Sequence, residues 1–264
     1  MAGTYVFDQV GEGERARLAA LEQVYDGATR DRIAALGDAT GWRCLEVGCG
    51  GGSIARWLAT RVGAGGEVLA IDLDLRFAAA HDRPNLRVER HDVTAGPLPS
   101  TGFDLVHARA VLEHLPQRDE VLRTLADALA PGGVLMVEDF DIDGPMADAV
   151  ARYWPAGHGE AAGRLMAALR AAFGAAGVDT GYGRRLPAQL AALGLTGVGG
   201  QLHAPLLPGG TPFLGMTLDR LRPRLLATGL ITEAELGTAI EVTQHQDLLH
   251  VPNFMVTAWG RRAG

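Results

Sequence analysis

A glycine-rich turn between a short apolar strand and a helix constrains the fold of this chain more than any other segment. Hydrophobic periodicity predicts a strand over Arg43–Val47 and a helix from Ser53 to about Val62, and four of the five residues between them are glycine. Gly48 and Gly50 permit a tight turn and leave no Cβ between a ligand and the backbone. Because an open α/β sheet binds its ligand where strands end, we expect a ligand site at this turn.

The alternation of short apolar strands and helices continues along the chain. Further strands are predicted at Glu67–Ile71, Leu86–Glu89, Phe103–His107, Val134–Glu138, Val198–Ala204 and Asn253–Trp259. A helix is predicted at about Arg118–Ala130, with Pro131 and two glycines after it as its stop signal. This alternation predicts a mostly parallel sheet covered by helices on both faces.

The remaining segments have helical periodicity and are predicted to decorate a single domain. We expect an N-terminal helical cap over residues 1–40 and one domain over 41–264, with helical insertions at about 141–185 and 206–250. The later insertion has helical periodicity over Phe213–Leu226 and Thr232–Leu249, and an excursion of this length is typical of a lid or a dimer element. Phe213 and Met216 are its candidate pocket residues.

The chain contains no lysine, which excludes several kinds of enzyme. A Walker-type phosphate loop, a Schiff-base enzyme and a short-chain dehydrogenase each require a lysine side chain. All 24 basic residues are arginine, and they are scattered among 31 acidic residues, for a net charge of −7. Because binding to nucleic acid or to an anionic membrane needs a basic face, we expect neither partner.

Cysteine usage and hydropathy predict a cytoplasmic location. Cys44 and Cys49 are too close in sequence for a useful disulfide, and no Cys-x-x-Cys motif is present. No basic and apolar leader opens the sequence, and no apolar run has the length of a membrane span.

Three carboxylates lie in successive strand–turn units of the predicted sheet. Glu46 precedes the first glycine by two residues, where it would repel a pyrophosphate but attract an ammonium group. Asp72, which ends the second strand, can accept hydrogen bonds from both hydroxyls of a ribose. Asp92 follows the third strand and can accept from an adenine amino group. The implied ligand has an amino group, a ribose and an adenine but no phosphate, a description that fits S-adenosylmethionine.

A nicotinamide dinucleotide is the competing ligand, because dinucleotide enzymes share a glycine-rich turn. Their Gly-x-Gly-x-x-Gly pattern would place glycine or alanine at position 53, where this chain has Ser53. Asp72 or Asp92 could also be a helix cap rather than a ligand residue.

The sequence resembles class I S-adenosylmethionine-dependent methyltransferases, in the subgroup related to enzymes of ubiquinone and menaquinone biosynthesis. The matching segments are LEVGCGGGS (45–53), VLAIDLD (68–74), RHDVTAG (90–96), FDLVHARAVLEHLP (103–116) and LAPGGVLMVED (129–139). The resemblance implies a Rossmann-like seven-stranded sheet whose last strand is antiparallel, with S-adenosylmethionine as cofactor.

The resemblance also implies roles for individual residues. Glu46 would face the methionine end of the cofactor, Asp72 the ribose and Asp92 the adenine. Tyr25 resembles an N-terminal tyrosine that covers the cofactor in such enzymes. The full set of predicted cofactor-binding residues is Tyr25, Glu46, Gly48, Cys49, Gly50, Asp72, Leu73, Asp92, Val93 and Arg109.

Transfer of a sulfonium methyl group needs alignment and exclusion of water, and it needs a base only when the acceptor must lose a proton. Histidine is the natural base near neutral pH, so His114 after the fourth strand and His250 late in the insertion are the predicted catalytic residues. His107 is predicted to be packed within its strand. The acidic run of Glu138, Asp139, Asp141 and Asp143 is predicted to be a solvated loop, and no metal is predicted.

The sequence thus predicts methyl transfer to an O, N or C atom of a small-molecule acceptor in specialised metabolism. A homodimer is left open. The first alternative is the same fold acting as a cyclase, an isomerase or a regulatory module without net methyl transfer. The second is a nicotinamide oxidoreductase, against which Ser53, Glu46 and the missing lysine argue.

Overall fold

The computed structural model describes residues 12–78 and 83–264. Its main strands are β1 (Arg43–Val47), β2 (Glu67–Asp72), β3 (Leu86–Arg90), β4 (Phe103–Arg109), β5 (Leu129–Asp141), β6 (Thr196–His203) and β9 (Phe254–Arg261). A separate two-stranded ladder joins β7 (Leu207–Pro208) to β8 (Leu249–His250).

The seven main strands form one sheet in the order β3-β2-β1-β4-β5-β9-β6. The pairs from β3 to β5 are parallel, and β9 runs antiparallel to both β5 and β6. The predicted sheet with an antiparallel last strand is therefore confirmed. The chain moves outward from β1 to β3 and resumes at β4 on the other side of β1, so a crevice is expected between the carboxyl ends of β1 and β4.

Eight helices surround this sheet in the described part of the chain. They are α1 (Glu12–Leu36), α2 (Ser53–Val62), α3 (Arg118–Asp127), α4 (Pro145–Arg152), α5 (Gly159–Ala175), α6 (Leu186–Ala192), α7 (Pro212–Ala227) and α8 (Glu233–Gln244). The helix predicted from Ser53 to Val62 is confirmed at both ends. The first eleven residues of the predicted cap, 1–40, lie outside the described residues, and the division of the chain at residue 40 stays a prediction.

Alternate residues of the central strands pack on opposite faces of the sheet, as strand geometry requires. Cys44 and Val68 lie in a core with α2, whereas Leu45 and Leu69 lie in a core with α3 and α6. Helices α4, α5, α7 and α8 enclose a further core of their own. These helices and α1 lie beyond the carboxyl ends of the strands, where they can wall a ligand site.

Strand β5 is longer than the predicted strand, and α3 ends three residues earlier than predicted. The Ala128 carbonyl accepts hydrogen bonds from the N–H groups of Gly102 and Phe103, so the chain joins the sheet directly after the helix. Gly132 and Gly133 then exchange backbone hydrogen bonds with Arg262. The Pro-Gly-Gly segment is thus part of the strand rather than a simple helix stop.

The acidic run on β5 is not the solvated loop that the sequence predicted. Glu138, Asp139 and Asp141 are each at most 2% exposed, because β5 continues to residue 141 and pairs there with β9. Asp143 is the exposed member of the run and forms an ion pair with Arg184.

Helix α8 ends at Gln244, whereas the sequence predicted helix to Leu249. Thr232 and Glu235 form a capping box at its start. At its end, backbone hydrogen bonds from Gly209 and Gly210 to the carbonyls of residues 248 and 243 redirect the chain into β8.

Within residues 12–78 and 83–264, no helix combines the length and apolar character that crossing a membrane requires.

Candidate active site

A cavity lies at the carboxyl ends of the five parallel strands, and residues of α1 and α7 contribute to its wall. The wall contains nine of the ten predicted cofactor-binding residues: Glu46, Gly48, Cys49, Gly50, Asp72, Leu73, Asp92, Val93 and Arg109. It also contains the predicted catalytic His114 and the predicted pocket residue Phe213. The fold thus gathers these side chains, while their individual roles stay predictions.

The glycine-rich turn forms the floor of the cavity. Gly48 has a φ of 67° and Gly50 a φ of 52°, a left-handed conformation that favours glycine. A Cβ on Gly48 would overlap the Val111 side chain of the loop after β4. The N–H groups of Gly48 and Cys49 donate to the Ile71 carbonyl at 2.8 and 3.2 Å, which fixes the turn against the end of β2.

Asp72 connects β2 to this turn. One carboxylate oxygen accepts from the Gly50 N–H at 2.9 Å, and the other accepts from the Asp74 N–H at 3.0 Å. Each oxygen retains a second lone pair that can accept from a ligand. Burial raises the pKa of Asp72, so a hydrogen-bond donor or cation from a ligand would stabilise its charged form.

Asp92 and Cys49 differ in ionisation. Hydrogen bonds from the Thr94 hydroxyl and N–H to Oδ1 lower the pKa of Asp92 and keep it charged. Burial raises the pKa of the Cys49 thiol, which therefore stays protonated. Cys49 thus fits a small residue that fills the turn rather than a nucleophile.

A buried histidine links three central strands. Nδ1 of His107 on β4 lies 2.6 Å from Glu46 Oε2 on β1, and Nε2 lies 3.1 Å from Glu138 Oε2 on β5. Although burial opposes the charged form, the two carboxylates raise the pKa of His107 to about 9. The pKa of Glu138 is about 2: burial acts to raise it, but the hydrogen bond and the charge of His107 lower it further. At neutral pH an imidazolium therefore lies between carboxylates.

The same group of residues fastens α1 over the cavity. The Thr29 hydroxyl donates to Glu138 Oε2 at 2.6 Å and accepts from Arg109 Nη1 at 2.9 Å. Arg109 Nη2 also binds Asp26 at 2.8 Å, and Asp26 accepts from the Ser53 hydroxyl at the start of α2. Arg109 lines the cavity as predicted, but its described hydrogen bonds join the sheet to α1.

His114 lies in the short turn after β4, beside two buried carboxyl groups. Burial, together with the charges of Arg17 and Arg118, lowers the pKa of His114 to about 4, so its imidazole is neutral near pH 7. Glu113 accepts from the Phe140 N–H at 2.8 Å, and Asp139 accepts from the Val111 N–H at 3.1 Å. These reciprocal bonds hold the turn to β5.

The two carboxyl groups beside His114 share the low-dielectric interior. Burial raises the pKa of Asp139 to about 8, and burial with the charge of Asp139 raises that of Glu113. The pair therefore retains at least one proton at neutral pH.

Three candidate residues lie away from the cavity wall. Tyr25 is 1% exposed and packs against Phe140, His203 and Phe213, behind the wall that α1 presents. The structure thus corrects its prediction as a cofactor-covering residue. Met216 packs beside this same aromatic cluster.

His250 is likewise displaced from the predicted catalytic position. It lies on β8 with its side chain fully buried against Trp154, because α8 ends early and the ladder with β7 carries it away from the cavity. Of the two predicted catalytic histidines, the structure brings His114 alone to the cavity.

Four roles were not predicted from the sequence: Asp26 and Thr29 hold α1 to the sheet, Glu138 pairs with His107, and Asn253 lines the cavity. Glu138 carried a signal, since it is the one polar residue of the predicted strand Val134–Glu138, whereas the predicted strand of His107 also contains Asp104. Asp26 and Thr29 carried none, because their partners lie about eighty residues away in sequence. In the described residues no cluster of three or more His, Cys, Asp or Glu side chains is arranged to hold a metal ion.

A methyltransferase domain family matches residues 19–178 of this sequence, which is more than half of the chain. The chain belongs to this family. The resemblance found in the sequence is confirmed at the level of the family, with S-adenosylmethionine as its cofactor.

Individual relatives are similar over a limited region. Methyltransferase str2 of Strobilurus tenacellus is 36% identical over 100 residues, which is 38% of this chain and 36% of that protein. A ubiquinone biosynthesis O-methyltransferase of a Caulobacter species is 36% identical over 101 residues, or 37% of this chain and 40% of that protein. The chain thus matches well under half the length of these curated relatives.

A solved structure extends the likeness to the whole fold. Phosphoethanolamine N-methyltransferase 2 of Haemonchus contortus, in complex with S-adenosylhomocysteine, has a TM-score of 0.60 at 13% identity. The alignment covers 98% of this chain and 62% of that chain. At this identity the likeness shows the fold alone.

The floor of the cavity can be tested with two glycines of equal φ. Gly48→Ala should lower the free energy of unfolding by about 1–3 kcal/mol more than Gly229→Ala, because a Cβ at Gly48 meets Val111 whereas one at Gly229 meets open space. Gly48 has a φ of 67° and Gly229 a φ of 68°, so both variants place alanine at the same positive φ. Urea unfolding measures the difference, and equal losses would contradict the close approach to Val111.

The buried histidine predicts how stability depends on pH. Because the pKa of His107 is raised, its stabilisation is complete below pH 6.5 and is lost as the pH rises through about 9. Asp139, whose pKa is also raised, contributes in the same direction. His107→Gln should cost about 3–5 kcal/mol at pH 7 and flatten the decline between pH 6.5 and 9.

Urea unfolding across this pH range measures the effect, with His158→Gln as the control at a more exposed histidine. A slope that His107→Gln leaves unchanged would show that His107 is not the group responsible.

Proposed function

We propose that this chain transfers the methyl group of S-adenosylmethionine to a small-molecule acceptor. The observation that carries the proposal is that one cavity joins the glycine-rich turn and the strand-end carboxylates to a neutral histidine. Family membership supports the reaction type.

The residues of the cavity fit this cofactor. The turn supplies a floor that a Cβ at position 48 would fill, and Asp72 retains free lone pairs above it. We define the cofactor half of the cavity as the wall formed by the carboxyl ends of β1, β2 and β3 and the loops after them, which includes Glu46, Asp72 and Asp92. Its carboxylates suit a cationic ligand that carries hydroxyl and amino groups and no phosphate.

We define the acceptor half as the remaining wall, formed by α1, the carboxyl end of β5, the loops after β4 and β5, the end of α5 with the loop after it, α7 and Asn253. When bound, S-adenosylmethionine supplies an electrophilic methyl group on a positively charged sulfur. The residues of this half orient the acceptor, exclude water and receive its proton. His114 is neutral and lines this half, so its imidazole can take the proton of an acceptor hydroxyl as the new bond to carbon forms.

The proposal also covers the chemical class of the acceptor and the place of the reaction in the cell. The net charge of −7 and the scattered arginines support a small molecule rather than a nucleic acid. The apolar side chains of the acceptor half support an apolar metabolite, and we extend the proposal to specialised metabolism in the cytoplasm.

The cofactor assignment is tested by binding. Asp72→Asn should weaken the affinity for S-adenosylhomocysteine about ten- to a hundred-fold, because a charge-assisted hydrogen bond is lost. The matched control is Asp38→Asn, whose carboxylate caps an exposed turn at Thr40. Calorimetry measures both variants, and NAD is titrated alongside. Tight binding of NAD, or an unchanged affinity in Asp72→Asn, would contradict the assignment.

The role of His114 is tested by separating turnover from cofactor binding. His114→Gln should lower kcat for an acceptor hydroxyl by about a hundred-fold or more, while the Kd of S-adenosylhomocysteine changes less than about two-fold. Because the pKa of His114 is about 4, the wild-type rate should not decline between pH 8 and about 5 through protonation of this histidine. Transfer of a labelled methyl group to methyl gallate measures the rate, and an unaltered kcat would remove His114 from the mechanism.

A further inference from the structure

The charged groups of the acceptor half are already matched to each other. Arg17 of α1 binds Glu14 through two hydrogen bonds, of 3.0 Å from Nε and 2.6 Å from Nη2. Arg220 contacts the same carboxylate at 3.2 Å. Glu14 and Arg17 are 1% and 3% exposed, so this pair lies in the interior. The Nε–Nη2 edge of Arg17, which could bind an acceptor carboxylate, is therefore occupied by Glu14.

The second arginine of the described cavity wall, Arg109, is also occupied. Its two terminal nitrogens bind Asp26 and Thr29. Over the whole wall, seven carboxyl side chains face two guanidinium groups. An acceptor with its own carboxylate or phosphate would therefore lose hydration without gaining a cation from the protein, a cost that a neutral acceptor avoids.

Most of the acceptor half is apolar. Phe140 lies near the end of β5 and Ile142 directly follows that strand. Phe173 and Val178 come from the end of α5 and the loop after it, and Phe213 comes from α7. Three aromatic rings from three different elements can enclose a flat molecule.

The side-chain oxygen of Asn253 is a buried polar atom of this wall. Asn253 precedes β9 and is 9% exposed, and within residues 12–78 and 83–264 its Oδ1 has no hydrogen-bond partner. A buried polar atom is expected to be satisfied, here by a ligand that reaches the wall. Since an amide can turn over to present its NH2 group, a hydroxyl, which both donates and accepts, satisfies it in either orientation.

We propose that the acceptor is a neutral, largely apolar, ring-sized molecule that presents a hydroxyl group to the Asn253 amide, and that acceptors bearing a free carboxylate or phosphate are excluded. This inference rests on the proposed function, because it takes the wall of His114 and Asn253 as the acceptor half.

The charge requirement is tested with two probes that share their hydroxyl groups. The full chain is saturated with S-adenosylhomocysteine and titrated by calorimetry with methyl gallate and with gallate. Methyl gallate should bind at least about ten-fold more tightly. Equal or tighter binding of gallate, or no binding of methyl gallate at millimolar concentration, would overturn the proposal.

Glu14→Gln is the matched variant for this charge requirement, because it frees Arg17 with little change of shape. It should raise the affinity for gallate about ten-fold and leave that for methyl gallate within about two-fold. An unchanged affinity for gallate would overturn the argument from paired charges.

The role of Asn253 is tested with a probe that has no hydroxyl. Asn253→Leu should weaken methyl gallate binding about five-fold or more and should not weaken methyl benzoate binding. An equal loss for both probes would show a structural role only and would overturn the hydroxyl assignment. Binding of S-adenosylhomocysteine is measured in the wild-type chain and in every variant. A wild-type chain that does not bind this product would contradict the proposed function rather than the proposed acceptor class.

Discussion

The placement of His107 between Glu46 and Glu138 is the interaction on which the rest of the cavity depends. It joins the three central parallel strands, β1, β4 and β5, in a fully buried line of charges. Removing two carboxylates from water is costly, and the imidazolium offsets that cost because it hydrogen-bonds to both. The strands whose ends form the site are therefore held in register by a polar contact as well as by their ladders.

This line of charges also determines where α1 lies. Glu138 accepts from Thr29 on α1, and Thr29 accepts from Arg109, which reaches Asp26 on the same helix. A helix that lies far in sequence from β4 and β5 is thereby fixed across the strand ends, and its Leu18 and Leu21 become part of the cavity wall. The hydrogen bonds of Thr29 and Asp26 with Glu138 and Arg109 therefore fix the part of the cavity wall that α1 forms.

The local parts of this arrangement could be predicted from the sequence, whereas the long-range parts could not. The strand at Arg43–Val47 and the helix at Ser53–Val62 follow from periodicity and glycine placement, which are local signals. The burial of Asp139 could not be predicted in this way, because it depends on β9 pairing with β5 more than a hundred residues later. The position of Tyr25 escaped prediction because it depends on the rotation of α1 against Phe140 and Phe213.

The distribution of charge gives the two halves of the cavity different tasks. Carboxylates dominate the cofactor half and favour a cationic ligand. Under the proposed function, methyl transfer removes the positive charge from the sulfur of the cofactor, so the attraction would be stronger before the reaction than after it. In the acceptor half, Glu14 neutralises Arg17, so the proposed acceptor would bind through apolar contacts and single hydrogen bonds. Substitutions in the wall of the acceptor half could therefore change which acceptor binds, while the buried contacts of His107 with Glu46 and Glu138 stay the same.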